Sequence, residues 1–459
     1  MLPTVPAQPL EPYLPSGSDA WDLPKVAHLY RRAAFGATWK QMQDALARPP
    51  AEVVEGLLDY DPSNDPFNAT LQSLVGLVDV REPRAAQTWW IHRALNSPHP
   101  LQEKVALFWH DHFATSAAKV SQDNLMHKQI ELFRQQGLGN FRKLLVSVAR
   151  DPAMLVWLDG RESKKRKPNE NFARELMELF TLGTGNYTEA DVKELARCFT
   201  GYSLRDEAAS LTPAEVDNGE KTILGKKDAF NDERAIDLLL SQPAAPKHLA
   251  RKLLFEYVHP QPGDKLVDEL AALIVACDWE IKPVLRKLLG SRVFFSPYAY
   301  RSRIKSPAEL ALGLAITMGG KVKTQFVRDQ MNRMGQSLLY PPNVKGWDGN
   351  EAWINAGTYL VRMNYGWALC QHRNQEFAEK GSLQGMIEGA NDTPAHTVDR
   401  LLALLLDGRC DDARRETLAT YLREGAISKN LIYNPKQENG RAVRSTIRII
   451  TAMPEFQLA

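Results

Sequence analysis

The chain has 459 residues, of which 44% are hydrophobic and 24% charged, the balance of an ordinary globular protein with room for a large core. Its 57 Lys and Arg nearly cancel 55 Asp and Glu, and the net charge of +2 argues against nucleic acid or an anionic membrane as a general partner. Cys198, Cys277, Cys370 and Cys410 stand far apart without a Cys-x-x-Cys pair, which argues against a disulfide framework or a cysteine-rich zinc site.

Residues 1–21 are rich in proline and poor in periodic pattern, and read as an extended N-terminal arm. They carry neither a basic n-region nor an apolar h-region, and no stretch of the chain approaches the ~20 apolar residues of a membrane span. The expectation is a cytoplasmic protein with no membrane span. From Asp22 onward helical spacing dominates. Asp22 opens one helix, and Thr38 caps the next after Gly36 stops the first. "HPLQEKVALFWHDHF" puts Leu101, Val105, Phe108 and Trp109 on one side. Pro152 divides "GNFRKLLVSVARDPAMLVWLDG", and Thr188 with Asp191 forms a capping box before "VKELARCFTG". Pro243 splits a further pair of helices, and "DKLVDELAALIVACDWEIKPVLRKLLGS" gives two more. Alternating β-branched runs are nearly absent. The fold class is mostly α: a multi-helix globular bundle with more than a dozen helices and few or no strands, at most a short hairpin near 216–230. The expected organisation is a main helical domain over 22–300 carrying the site, with a C-terminal helical region over 301–459 packed on it. "SLLYPPNVKGWDGNEAWIN" (337–355) resists a helical reading. It is either a site-lining loop or a packed connector.

Two segments carry candidate chemistry. In "FWHDHFATS", His110 and His112 flank Asp111. Residues two apart on a helix diverge by about 200°, so these histidines can act on one ion only if the chain leaves the helix near Trp109 and runs extended. Otherwise His110 only faces the last carbonyls of its helix. In "PNENFARELMELFTLGTGNYT", Asn171, Arg174, Glu175 and Glu178 fall within an arc of about 100° on one helix. That stripe reads either as a solvated face with an Arg174–Glu178 pair or as carboxylate ligands that, with histidine, suit Zn, Fe or Mn. Adjacent turns cannot flank a sugar bond from both sides, which ranks glycoside hydrolysis lower. "RESKKRK" (161–167) precedes this helix as a solvated basic loop or an anion-binding lip.

"LYRRAAFGAT", "HPLQEKVALFWHDHFATS", "NENFARELMELFTLGTGNYTEADV", "DNGEKTILG" and "PPNVKGWDGNEAWIN" occur in this order. Together they resemble the bacterial family called domain of unknown function 1800, from about residue 24 to near the C-terminus. The resemblance implies a helical protein whose genes often neighbour those of a sulfatase-like family, and many members look exported. The family pattern is met at His110, His112, Asn169, Glu170, Asn171, Arg174, Glu175 and Glu178. Some members carry histidine where this chain has Phe180, and histidine is common where it has Val216.

Two expectations follow. The first is a metal-dependent or acid–base enzyme for an anionic substrate, the metal being divalent Zn, Fe or Mn. Its ligands or bases are His110 and His112, its ligands or proton carriers Glu175 and Glu178, and Arg174 orients the anion. Asn169, Glu170, Asn171, Lys345 and Trp347 complete the substrate contacts. The second is a non-catalytic scaffold that works with a sulfatase-like partner.

Overall fold

Capping chemistry sets the helix boundaries. The Asp22 carboxylate accepts the Lys25 amide at the start of Leu23–Ala33, and reciprocal capping boxes open Trp39–Leu46 at Thr38 and Glu189–Cys198 at Thr188. Pro152 stands first in Pro152–Trp157, directly after the Phe141–Ala149 helix. The computed structural model describes residues 3–61, 65–75, 79–120, 124–371, 374–376, 393–424 and 438–459. Among these residues it holds 21 α-helices, so the protein is mostly α. No described helix is long and apolar enough to cross a membrane.

The described strands are short and antiparallel. Lys221–Ile223 pairs with Lys226–Asp228, inside the expected hairpin region. A second hairpin, Tyr202–Arg205 with Ala208–Leu211, was not expected. Its turn residues, Asp206 and Glu207, both take positive φ (49° and 58°), a conformation usually signalled by Asn-Gly or Asp-Gly. The N-terminal arm lies along the body, with the Tyr13 amide donating to the Gly290 carbonyl and the Arg292 amide to the Glu11 carbonyl.

One contiguous core runs from Tyr13 to Phe456. Through it passes the Pro100–His112 helix, buried along nearly its whole length. Two neighbouring charges hold this helix. Glu103 accepts from Arg134 at 2.7 and 2.9 Å and from Arg93 at 3.4 Å. Lys104 pairs with Glu256 at 2.9 Å and with Glu309, and Arg303 bridges the same two carboxylates. Successive residues point about 100° apart, so these networks engage different faces and fix the rotation of the helix. Seven residues are nearly two turns. His110 therefore lies on the Glu103 face and Asp111 on the Lys104 face, towards the helix Ala244–Tyr257 that carries Glu256.

Replacing Glu103 by Gln removes the carboxylate that Arg93 and Arg134 share, leaving Glu131 to Arg134 alone. The expected loss is about 3–5 kcal/mol of unfolding free energy, the usual result of removing one partner of a buried pair. Urea denaturation of Glu103→Gln measures it, and a loss below about 1 kcal/mol, the range of an exposed pair, contradicts the clamp.

Candidate active site

The helix Pro100–His112 does not end at Trp109. It continues through His112, and the Phe113 amide closes it on the Trp109 carbonyl at 2.8 Å. This removes the extended alternative for the HDH segment, on which shared ligation of one ion depended. Packing explains the difference: Trp109, Phe113 and Phe141 stack beside His112 and hold the last turn in register. His110, Asp111 and His112 consequently point in three directions.

His110 turns to the start of loop 337–349. Its Nε2 accepts the Leu339 amide at 3.2 Å, which fixes the proton on Nδ1. Burial holds the ring neutral, with its pKa lowered to about 3. Trp90 and Trp347 pack against it edge-on. It ties down the loop instead of capping its own helix.

Asp111 turns to the far end of the same loop. Its Oδ1 accepts the Trp347 amide at 2.7 Å. Gly346 makes this approach feasible. Its φ is +88°, and a Cβ there would lie 2.3 Å from Asp111 Oδ1. Burial raises the Asp111 carboxyl to about 7, against the opposing pull of the Trp347 amide and Lys252.

His112 turns to a cleft. The ring is almost fully buried, and neither nitrogen has a hydrogen-bond partner of good geometry, although the Phe180 carbonyl stands near enough to favour the protonated ring. Phe108 stacks on it, Phe180 packs at 6.0 Å and His248 at 6.2 Å between ring centroids. Burial, reinforced by Lys252 and His248, pushes its pKa well below the usual histidine value, so the ring is neutral. An unpartnered neutral imidazole both donates and accepts, and leaving both functions unused inside a protein is costly.

The cleft that receives His112 has a volume of about 380 Å³. Its walls are the end of the Pro100–His112 helix, one face of Ala244–Tyr257 and the loop residues Lys345, Trp347 and Asp348. His248, Lys252 and Glu256 recur every fourth residue along that helix face. His248 donates from Nε2 to the Leu179 carbonyl at 2.8 Å, and burial lowers its pKa to about 4. The Lys252 side chain has no hydrogen bond or ion pair among the described residues. Burial lowers its pKa, Asp111 opposes the shift and Lys345 adds to it. Beyond the Trp347 indole, a shallower trough of about 720 Å³ is lined by Arg84, Gln87, Arg328 and Tyr340.

His112, Lys345 and Trp347 thus meet in one cleft. The remaining expected site residues line neither wall. Asn169 caps the Glu170–Glu175 helix through the Asn171 amide, and both asparagines donate to Asp159. Arg174 pairs with Glu189 at 2.6 Å and Glu170 at 3.4 Å, not with Glu178. Glu178 accepts the Tyr187 hydroxyl at 2.7 Å. Burial, then the Glu178 charge, raises the Glu175 pKa. After Glu175 the backbone widens into a π-helical turn, Leu176–Thr181, so the uniform stripe expected over 171–178 is interrupted. That turn supplies the Leu179 carbonyl to His248, and so supports the cleft from behind. The basic segment 164–167 is an exposed turn closed by a Lys164–Lys167 bridge.

The metal expectation needed His110, His112, Glu175 and Glu178 to converge, and they do not. Among the described residues no three His, Cys, Asp or Glu are grouped to hold an ion. Asp111, His248 and Lys252 are the site residues that sequence reasoning missed. Asp111 stands between two histidines whose spacing carries the metal reading. The four-residue spacing of His248, Lys252 and Glu256 inside "PKHLARKLLFEY" was a readable polar stripe on an apolar helix.

Among the described residues, the fold and site define a mostly helical protein with a cleft that brings together Asp111, His112, His248 and Lys252. The chain belongs to the family described as "Protein of unknown function (DUF1800)", whose model matches residues 28–458. No curated protein and no solved structure matches it.

The raised Asp111 pKa has a stability consequence. Below pH ~4 both folded and unfolded chains hold the proton. Between pH ~4 and about 7 the unfolded chain releases it first, so folding is progressively disfavoured as pH rises, and fully so above about 7. Asn mimics the protonated acid and keeps the acceptor for Trp347. Asp111→Asn is therefore expected to melt higher than wild type at pH 8, with the gain gone at pH 4. Thermal melts across that range check this, and a difference independent of pH contradicts it.

Proposed function

We propose that the protein is an acid–base enzyme acting on a small anionic substrate in the His112 cleft. The observation that supports this most strongly is the juxtaposition of a carboxyl that titrates near neutrality with an unpartnered neutral imidazole on the same cleft wall. A group whose pKa lies near the working pH can both give and take a proton within a cycle. Asp111 is the proton carrier in this reading. His112 is the second acid–base group, or the donor to a developing oxyanion, because its ring is held neutral and unsatisfied until a substrate arrives. The Trp347 amide fixes the Asp111 carboxyl, and the π-turn carbonyl of Leu179 orients His248.

Charge supports the anionic substrate. Glu256 is neutralised by Lys104 and Arg303, and Asp348 by Lys345 at 2.6 Å. Lys252 is the cleft cation left without an anion among the described residues. Phe108, Phe255, Pro260 and Pro262 supply apolar walls that exclude water and strengthen its pull on a bound anion.

The reading is tested by incubating the protein with a pool of small carboxylates and phosphate esters and following consumption by mass spectrometry. Asp111→Asn is expected to slow consumption by about 10²–10⁴-fold, the usual contribution of a positioned acid–base group, with a melting temperature no lower than that of wild type. A pool that wild-type protein leaves untouched, or that Asp111→Asn consumes equally, rules the reading out.

A further inference from the structure

We propose that Lys252 is a nucleophilic amine that captures a small aldehyde or ketone in the cleft as an iminium, with Asp111 moving the protons. The proposal rests on the acid–base reading of the same cleft and names its substrate class as carbonyl compounds.

The fold treats its buried lysines differently from this one. Lys104 is held by two carboxylates. Lys221 donates to the carbonyls of Asp217, Gly219 and Phe230. Lys305 donates to the Phe456 carbonyl and lies over the Phe456 ring. Lys252 is half-buried on the cleft wall and has no such partner among the described residues. The acid one helical turn further on, Glu256, is taken by Lys104 and Arg303. Asp111 makes no ion pair with the amine, and its Oδ1 is committed to the Trp347 amide. An ammonium without a close anion, in a cleft with apolar walls, loses solvation and gains little in return, so it gives up its proton more readily than an exposed lysine and supplies the free amine for attack. The downward pKa shift of Lys252 agrees with that geometry.

The chemistry balances within the cleft. The amine lone pair forms the C–N bond as the carbonyl π pair moves to oxygen. One N–H proton passes to that oxygen through Asp111, giving a neutral carbinolamine. The acid form of Asp111 then protonates the hydroxyl. The C–O bond breaks, water leaves, and the nitrogen lone pair forms the protonated imine as Asp111 becomes carboxylate. A carboxyl that titrates at about 7 is populated in both forms for these two transfers. His112, with both ring nitrogens unpartnered, is available to hydrogen-bond the departing oxygen.

Reductive trapping tests this on the full-length protein. Pyruvate and, separately, propanal are added with sodium cyanoborohydride near pH 7, and each lysine is followed by peptide mass mapping. Lys252 is expected to be alkylated at least about tenfold faster than exposed Lys143 and Lys193, and Asp111→Asn is expected to slow Lys252 by a similar factor. In Lys252→Arg, which keeps the charge, the fast-labelled site is expected to vanish while Lys143 and Lys193 label as before. Labelling of Lys252 no faster than Lys143 and Lys193 with both probes overturns the proposal. That failure is distinct from failure of the acid–base reading, because metabolite consumption sensitive to Asp111→Asn survives it.

Discussion

The rotation of the Pro100–His112 helix governs everything at the cleft. Glu103 and Lys104 lock it from two sides, each into a network of full charges from which water is excluded. A buried charge tolerates little displacement from its partner, because the loss of one contact leaves an uncompensated ion. Helical geometry then carries that registration two turns along. His110 and Asp111 arrive under the loop 337–349, and His112 arrives in the cleft. A helix turned by one residue's worth of rotation would send Asp111 into the aromatic packing and His112 to the loop.

The loop responds to this registration with strain of its own. Leu339 sits at φ +66°, a region a branched apolar residue rarely adopts. It stays there because its amide donates to His110 and its carbonyl accepts the Ala117 amide at 2.8 Å. Gln87 holds the preceding carbonyl, that of Leu338, at 2.6 Å. Gly346 then lets the chain pass so close to Asp111 that no side chain would fit. The loop is thus a rigid wall beside Asp111, whose burial is the largest cause of its raised pKa. Loop and carboxyl are coupled at this point: the hydrogen bond that docks the loop also fixes the Asp111 carboxyl.

Much of the fold was legible in the sequence because capping and proline chemistry are local. Asp22, Thr38, Pro152 and the Thr188–Asp191 box act within one turn, and each marks a boundary where it was read. The site was less legible because its determinants are tertiary. Whether the helix stops at Trp109 or runs to His112 depends on Phe141 and Phe180, which lie far away in sequence. The partner of Arg174 is Glu189, fifteen residues on and on another helix, where spacing alone offered Glu178. The π-helical turn at 176–181 breaks the period on which the carboxylate stripe was drawn. Loop 337–349 was legible as irregular, and Lys345 and Trp347 within it do line the cleft. Asp111 was hidden by its neighbours, since two histidines one residue apart suggest a shared ligand and divert attention from the acid between them.

The chemistry proposed for the cleft requires a buried carboxyl on this helix that titrates near neutrality. Carbon-13 NMR of the Asp111 side-chain carboxyl, assigned by its absence in Asp111→Asn and followed from pH 3 to 9, measures that directly. A midpoint at about 7 is the expected result. A midpoint near 4, the ordinary aspartate value, would mean that the cleft leaves the carboxyl solvated, and the acid–base account would fall with it.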